Sequence, residues 1–299
     1  MRKTGAEELS EIRNPAAIEP LMKLLNDPSP LVRGSATDAL GILRAQGAAQ
    51  TIANLLETDP DPAVRQAAAI SLGYIGNRFT VPSLLKGLKD AHDGTRYACV
   101  NTVGIMRDSS AVLELAKELK NPDPRMRNSA SYALAKIQDK SSVPLLLESL
   151  KLSRSTAPVE GGKSLADSMV ACSILRSLGE IGVPSSVSRI KPYLEDREPG
   201  VKISAAHALY LLGDRTGVPM ARKYIKDGDA GIRKMSVDIL GAMGDARDLV
   251  PLQALSTDPD PQIQQALALA LPKLKQNAAA ASQPPSSSPA KSPIKKKAK

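Results

Sequence analysis

A sequence motif of about 31 residues recurs along nearly the whole chain. One apolar position marks it, and the gaps between successive occurrences are 31, 32, 31, 31, 44, 31, 31 and 31 residues. A fixed period of this size is typical of arrays in which each unit is one supersecondary motif. The period therefore constrains the fold more than any other feature of the sequence. The marking residues are Leu9, Leu40, Leu72, Val103, Leu134, Leu178, Leu209, Leu240 and Leu271.

Each repeat contains start and stop signals for two helices. The first helix follows a Pro/Asp turn and ends at glycine, as in residues 59–76, DPDPAVRQAAAISLGYIG. The second often opens with Val-Pro, as at Val81-Pro82, where the missing N–H of proline costs nothing. Because one helix pair cannot bury its apolar face alone, neighbouring pairs must stack. The sequence predicts an all-α solenoid of about eight antiparallel helix pairs plus one terminal helix over residues 1–275.

The composition argues against most kinds of enzyme site. Aromatic residues are 2 % of the chain, with no Trp and one Phe, which disfavours aromatic-lined pockets and base-stacking platforms. No apolar run is long enough to cross a membrane, so no integral membrane contact is expected. Two cysteines suit a reducing compartment, so we predict a cytoplasmic protein. From the composition we also predict that the protein is not an enzyme and has no cofactor. The histidines and cysteines lie too far apart for a metal site by spacing: His92, His207, Cys99 and Cys172.

The repeat resembles a known family. The pattern D-P-x-x-x-V-R-x-x-A-x-x-A-L-G-x-I-G followed by V-P-x-L is similar to the HEAT-like repeat, of the short variety associated with phycobilisome bilin lyases. The resemblance covers roughly residues 1–275 and implies a right-handed α-solenoid. It is specific for the fold and leaves the function open, because repeats of this kind serve unrelated systems.

Acidic and basic residues six positions apart recur at the start of the repeats. In HEAT-like repeats they resemble a structural ladder, which implies that each arginine pairs with turn carboxylates of its own and the adjacent unit. The alternative is a row of arginines that binds phosphates or acidic peptides. Ala171 stands where one repeat should carry its arginine. The predicted ladder contains Asp27, Arg33, Asp59, Arg65, Asp90, Arg96, Arg127, Asp196, Lys202, Asp227 and Arg233.

Two columns of lysines fall on the second helices when the repeats are aligned. Second helices conventionally line the concave face of such solenoids, so these lysines are candidate contacts for an acidic protein or a nucleic-acid backbone. The alternative is that lysines in a last helical turn complement the helix dipole and keep the surface soluble. One column holds Lys23, Lys86, Lys117 and Lys223, and the other holds Lys89, Lys120, Lys151 and Lys226.

The 44-residue gap marks one irregular repeat, the fifth. It exceeds the period by 13 residues, and Pro158 with Gly161-Gly162 predicts a loop insertion at about 152–166. Insertions in solenoids map to exposed loops that often bind partners, which makes Arg154 and Lys163 candidate contacts. A loop with no binding role is the alternative.

Residues 276–299 differ from the rest of the chain in composition. They are rich in Ala, Ser, Pro and Lys, contain no acidic residue and offer little apolar surface, so we predict a disordered tail. Two S-P-x-K units, at 288–291 and 292–295, resemble linker-histone-like tails and suggest binding to a polyanion such as nucleic acid. An anionic membrane surface, a nuclear address or simple solubilisation are alternatives. The lysines concerned are Lys291, Lys295, Lys296, Lys297 and Lys299.

These observations favour a non-catalytic scaffold that binds a protein partner along its concave face, because a long array carries no nucleophile–base or metal constellation. Two alternatives stay open: a nucleic-acid-associated protein that uses the tail and the lysine columns, and an enzyme-assembly factor of the bilin-lyase kind. Self-association through the terminal helix is a further expectation, since no repeat follows to cover Leu267, Leu269 and Leu271.

Overall fold

A computed structural model gives the chain as two compact units, Met1–Asp214 (unit 1) and Arg215–Lys299 (unit 2). It describes residues 2–5, 8, 14–155 and 166–281, with side chains as far as 276. In those residues all regular structure is helical, which confirms the all-α class. Short helices alternate with long helices along the chain.

The helices are named in chain order, so that odd numbers are short helices and even numbers are long ones. Unit 1 contains α1 (Ile18–Leu24), α2 (Pro30–Ile42), α3 (Ala49–Thr58), α4 (Pro62–Ile75), α5 (Val81–Gly87), α6 (Asp93–Met106), α7 (Val112–Glu118), α8 (Pro124–Ile137), α9 (Val143–Ser153), α10 (Ser168–Ile181), α11 (Val187–Ile190) and α12 (Pro199–Leu211). Unit 2 contains α13 (Val218–Tyr224), α14 (Ala230–Met243), α15 (Leu249–Gln253) and α16 (Pro261–Ala281).

The helix boundaries follow the predicted signals. The Asp61 carboxylate accepts a hydrogen bond from the Ala63 amide at 2.8 Å and caps α4, whose first residue is Pro62. The same helix ends at Gly76, which has a φ of 72°. That left-handed conformation is one that glycine adopts without strain, so the turn into α5 follows from the sequence.

Within each unit, every long helix packs against the neighbouring long helix and against a short helix. The marking residues Leu72, Val103 and Leu134 are fully buried in the shared core. Glycine permits the closest approaches: a Cβ on Gly104 would lie 2.8 Å from the Cα of Ala133. The core is therefore continuous from repeat to repeat, which confirms the predicted solenoid packing.

An arginine ladder joins successive repeats. Arg33 donates from Nε and Nη2 to the two carboxylate oxygens of Asp59 at 2.7 and 2.8 Å. Its Nη1 donates to the backbone carbonyl of Asp27 at 2.9 Å. Arg65 binds Asp90 and the carbonyl of Asp59 in the same way, with distances of 2.7 to 2.9 Å. In unit 2, Arg233 repeats the pattern with Asp258 and Asp227.

This geometry corrects one detail of the expected ladder. The arginine meets a carbonyl, not the carboxylate, of the aspartate in its own repeat. The reason is that this carboxylate already faces the preceding arginine and accepts a backbone N–H two residues ahead, as Asp59 does from Asp61 at 2.9 Å. Gln264, which lacks the charge, keeps only the carbonyl contact, to Asp258 at 2.8 Å.

The ladder changes in the middle of unit 1. Arg96 pairs with Asp93 of its own helix, because Asn121 occupies the place of the next carboxylate. Arg127 keeps its carbonyl contact to Asn121 at 2.8 Å. Its Nε is buried with no hydrogen-bond partner among the described residues, and its Nη2 lies 3.8 Å from Asp167. Burial lowers the pKa of Arg127 below its usual value.

Arg154 belongs to this ladder. It donates from Nε and Nη2 to Asp196 at 2.8 and 2.7 Å, and its side chain is only 12 % exposed. It thereby replaces the arginine that Ala171 does not supply. The expectation that Arg154 is an exposed loop contact is therefore corrected, and within the described residues no ion pair joins Lys202 to Asp196. Lys163 lies outside the described residues.

The C-terminal helix differs from its prediction in two respects. It continues to Ala281, six residues past the expected boundary at 275, because the alanine run has high helix propensity. Leu267 is buried because α16 packs on α14, whereas Leu269 is 66 % exposed. The five tail lysines and the rest of 282–299 lie outside the described residues, so their role and self-association stay predictions.

Candidate protein-binding surface

In unit 1 the column lysines lie in the short helices or directly after them, and three of the six pair with a glutamate. Lys86, near the end of α5, pairs with Glu57 of α3 at 2.8 Å. The other three column lysines of this unit, Lys23, Lys89 and Lys151, are exposed and have no ion pair in the described part of the chain. Lys23 and Lys151 lie in last helical turns, where they complement the helix dipole.

A shallow groove of about 240 Å³ runs between α7 and α9. Leu113, which is 71 % exposed, and Leu145 form its apolar surface. Lys117 pairs with Glu114 at 2.6 Å and Lys120 pairs with Glu148 at 2.9 Å. The hydrogen bond from Lys117 lowers the pKa of Glu114. Because each lysine has its own glutamate, this groove carries no net charge.

Unit 2 has a larger groove of about 390 Å³ between α13 and α15. The buried side chains of Ile225 and Leu240 form its floor, and the half-buried Pro251 is an accessible apolar residue beside them. Charged residues surround this apolar surface. Lys223 and Lys226 come from α13 or the residues directly after it, and Arg247 comes from the turn before α15.

One wall of the unit 2 groove is a closed network of two arginines and two aspartates. Arg222 donates to both oxygens of Asp248 at 2.8 and 2.9 Å and to Asp245 at 2.8 Å. Arg247 donates to both oxygens of Asp245 at 3.0 and 2.8 Å. Hydrogen bonds from Arg247 hold the pKa of Asp245 well below its usual value. The network is electrically neutral.

The remaining charge of the unit 2 groove belongs to Lys223 and Lys226. Both are exposed, and neither has an ion pair in the part of the chain that the structure describes. The Nζ of Lys223 lies 5.5 Å from the centre of the Tyr224 ring, a cation–π contact that leaves its charge uncompensated. This groove therefore carries two net positive charges beside an apolar surface.

Sequence reasoning missed a third groove, of about 430 Å³, between the long helices α4 and α6. Ile70, Tyr74 and Ile105 are 40 %, 57 % and 65 % exposed and line it. The sequence contained one signal of this groove, the spacing of Ile70 and Tyr74. Residues four positions apart share one helix face, and here that face lies opposite the core residue Leu72. At its edge, the Tyr97 hydroxyl donates to Asp123 and lowers the pKa of that carboxyl to about 2.

Two further features concern the described residues alone. Among those residues, no helix is both long and apolar enough to cross a membrane. Within the same residues, no three His, Cys, Asp or Glu side chains come together in a way that would hold a metal ion.

Comparison with known families settles the family. The model of HEAT repeats matches residues 1–73, 49–119, 81–157 and 210–272. The chain is a HEAT-repeat protein. The match leaves out residues 158–209, which comprise the later part of the insertion in the fifth repeat and the repeat that follows it.

Two curated relatives of this HEAT-repeat protein are alpha subunits of phycocyanobilin lyase. The subunit from Picosynechococcus sp. is 28 % identical over 173 residues, which are 54 % of this chain and 63 % of the relative. The subunit from Nostoc sp. is 30 % identical over 171 residues, 54 % of this chain and 60 % of the relative. The HEAT-repeat protein thus spans somewhat less than two thirds of the length of these relatives.

A solved structure shares the fold. It is the complex of CpcE and CpcF of phycocyanin lyase from Nostoc sp., with a TM-score of 0.53 and 23 % identity. The alignment covers 76 % of this HEAT-repeat protein and 94 % of that chain.

These relatives correct one prediction. The expectation that the chain is not an enzyme is wrong, because two of its curated relatives are subunits of a lyase. The expectation rested on the lack of a nucleophile–base or metal cluster in the sequence. A cluster of this kind marks an active site that one chain builds alone. Its absence from the sequence does not exclude that the chain contributes to a larger enzyme as a subunit.

Proposed function

We propose that this HEAT-repeat protein is a subunit of a lyase-type enzyme and that the exposed side of its short helices binds a second protein chain. In each unit this short-helix surface contains one groove, between α7 and α9 in unit 1 and between α13 and α15 in unit 2. The observation that carries the proposal is the relationship to the alpha subunits of phycocyanobilin lyase. An alpha subunit works with another subunit, and the structural relative is a complex of two proteins, CpcE and CpcF.

The geometry supports a protein partner. The grooves beside α7 and α13 combine an apolar surface with flanking charge, the arrangement that protein interfaces use. Leu113 is 71 % exposed within the described residues. Exposed apolar surface rimmed by charge is typical of interaction sites on folded proteins.

Reconstitution tests this proposal. The tagged full chain is purified from its native source, its co-purifying partner is identified, and the pair is rebuilt from separately purified proteins. We expect a stable complex by analytical ultracentrifugation. We also expect that the complex retains phycocyanobilin, seen as saturable visible absorbance that elutes with the protein.

The variant Lys223→Glu/Lys226→Glu, which reverses the free charge of the unit 2 groove, should assemble less well than the wild type. The matched control is Lys273→Glu/Lys275→Glu, which makes the same change of charge on α16 and should assemble like the wild type. A pair that assembles but retains no phycocyanobilin would contradict the lyase assignment. A pair that assembles equally well with the charge-reversed chain would contradict the assignment of the surface.

A further inference from the structure

We propose that the groove between α13 and α15 is a docking site for an acidic amphipathic helix of a partner protein. In that complex, apolar side chains of the helix lie on Pro251 and on the aliphatic parts of Lys223 and Lys226, above the buried floor of the groove. Its carboxylates pair with the ammonium groups of the two lysines. The inference deepens the proposed function, on which it rests, by naming the chemistry of the partner at one groove.

Charge complementarity selects the occupant. Arg222 and Arg247 are already neutralised by Asp248 and Asp245, so they have little capacity for a further anion. Lys223 and Lys226 are exposed, and within the described residues neither forms an ion pair. An occupant with carboxylates at this point therefore gains two ion pairs that the free protein lacks.

The apolar surface favours a peptide over a nucleic acid. A phosphodiester backbone would satisfy the two lysines but would bury no apolar surface against Pro251 or the aliphatic parts of the lysines. A helix with leucines on one face and glutamates beside them satisfies both parts of the groove. Helices that lie in grooves present such residues at positions i, i+3, i+4 and i+7.

The wall makes the site rigid. Asp248 is buried, and it also accepts the backbone N–H of Asp245 at 2.9 Å, which forms a capping box at the turn before α15. The Arg222 guanidinium is therefore held in place on two sides. A helix that enters the groove meets a preformed surface, which reduces the entropy lost on binding.

The test measures binding of a fluorescent 16-residue peptide to the full chain by anisotropy. The peptide has leucine at every third or fourth position and glutamate beside each leucine. Three competitors are used: the same peptide with Gln for Glu, the same peptide with Ser for Leu, and a duplex DNA oligonucleotide. We expect the acidic leucine peptide to bind more tightly than either altered peptide.

Two charge-reversed chains locate the binding. Lys223→Glu/Lys226→Glu should lower the affinity for the peptide about tenfold, because it replaces two exposed attractive ion pairs by repulsive ones. Lys273→Glu/Lys275→Glu makes the same change of charge on α16, away from the groove, and should change the affinity less than about twofold.

Other outcomes overturn the assignment. Equal loss in both variants, or equal binding of the Ser-for-Leu peptide, would show only general attraction to a basic protein. Displacement of the peptide by DNA at lower concentration than by unlabelled peptide would assign the groove to nucleic acid. If the peptide fails but the reconstituted pair still retains phycocyanobilin, the groove assignment is wrong and the proposed function stands. If the peptide binds at the groove but no such pair forms, the groove assignment stands and the proposed function is wrong.

Discussion

The groove between α7 and α9 and the groove between α13 and α15 occupy the same place in their repeats but differ in charge. In the first, Glu114 and Glu148 neutralise Lys117 and Lys120. In the second, two arginines and two aspartates neutralise one another and leave both lysines without a carboxylate. The repeat thus supplies a uniform frame, and the few residues at the ends of the short helices decide what each groove attracts.

The largest expected effect comes from breaking a buried ion pair in unit 2, compared with an exposed ion pair in unit 1. Asp248→Asn should lower the free energy of unfolding by about 2 kcal/mol, because it leaves Arg222 beside a buried neutral amide. This loss is smaller than that for a fully buried ion pair, because water reaches part of the Arg222 side chain. Glu148→Gln in the unit 1 groove breaks a pair that is exposed on both sides and should cost less than about 1 kcal/mol. Urea unfolding followed by circular dichroism measures both.

Equal losses in the two variants would contradict the difference between a buried and an exposed network. Arg247→Gln serves as an internal control, since it removes a side chain of the same network that is 79 % exposed. Its effect should resemble that of Glu148→Gln.

The second prediction converts one groove into the other. Glu114→Gln/Glu148→Gln leaves Lys117 and Lys120 unpaired beside Leu113, as the two lysines are in unit 2. The acidic leucine peptide should then gain a second site with an affinity about five- to tenfold above that of the wild-type groove. Stoichiometry by isothermal titration calorimetry should rise from one to two. An unchanged stoichiometry would show that charge alone does not explain the contrast.

The third and smallest effect is the response to acid. The pKa of Asp245 is lowered, so its contribution to stability is present above the unfolded value near 3.9 and is lost only as the pH falls towards its folded pKa. The glutamates of the peptide, with pKa values near 4.3, lose their charge first. Peptide affinity should fall a few-fold between pH 5.5 and 4 while helicity by circular dichroism stays constant. Loss of helicity before loss of affinity would contradict this order.

The regular parts of the fold were predictable because they depend on neighbours in sequence. Asp61, Pro62 and Gly76 fix the ends of α4 through local geometry, and the spacing of Leu72 and Val103 places them in the core. The parts of the fold that depend on contacts between residues distant in sequence were not predictable. Arg154 lies in the irregular repeat and looked like an exposed loop residue, yet it fills the ladder position that Ala171 leaves empty.

The candidate surface was predictable only in outline. Alignment of the repeats placed the lysines on the short helices, but it did not show which of them meet a glutamate of the next repeat, as Lys120 meets Glu148. The exposed side chains of Ile70 and Ile105 were missed because they lie on different helices that the fold brings together.

Hydrogen–deuterium exchange of the reconstituted pair tests the central claim, that the short-helix surface binds the partner. The account predicts slower exchange on complex formation in α13 and α15, with reduced acetylation of Lys223 and Lys226 by a lysine-reactive reagent. Protection confined to α4 and α6, around Tyr74, with both lysines as reactive as in the free chain, would contradict it and assign the partner to the long-helix groove.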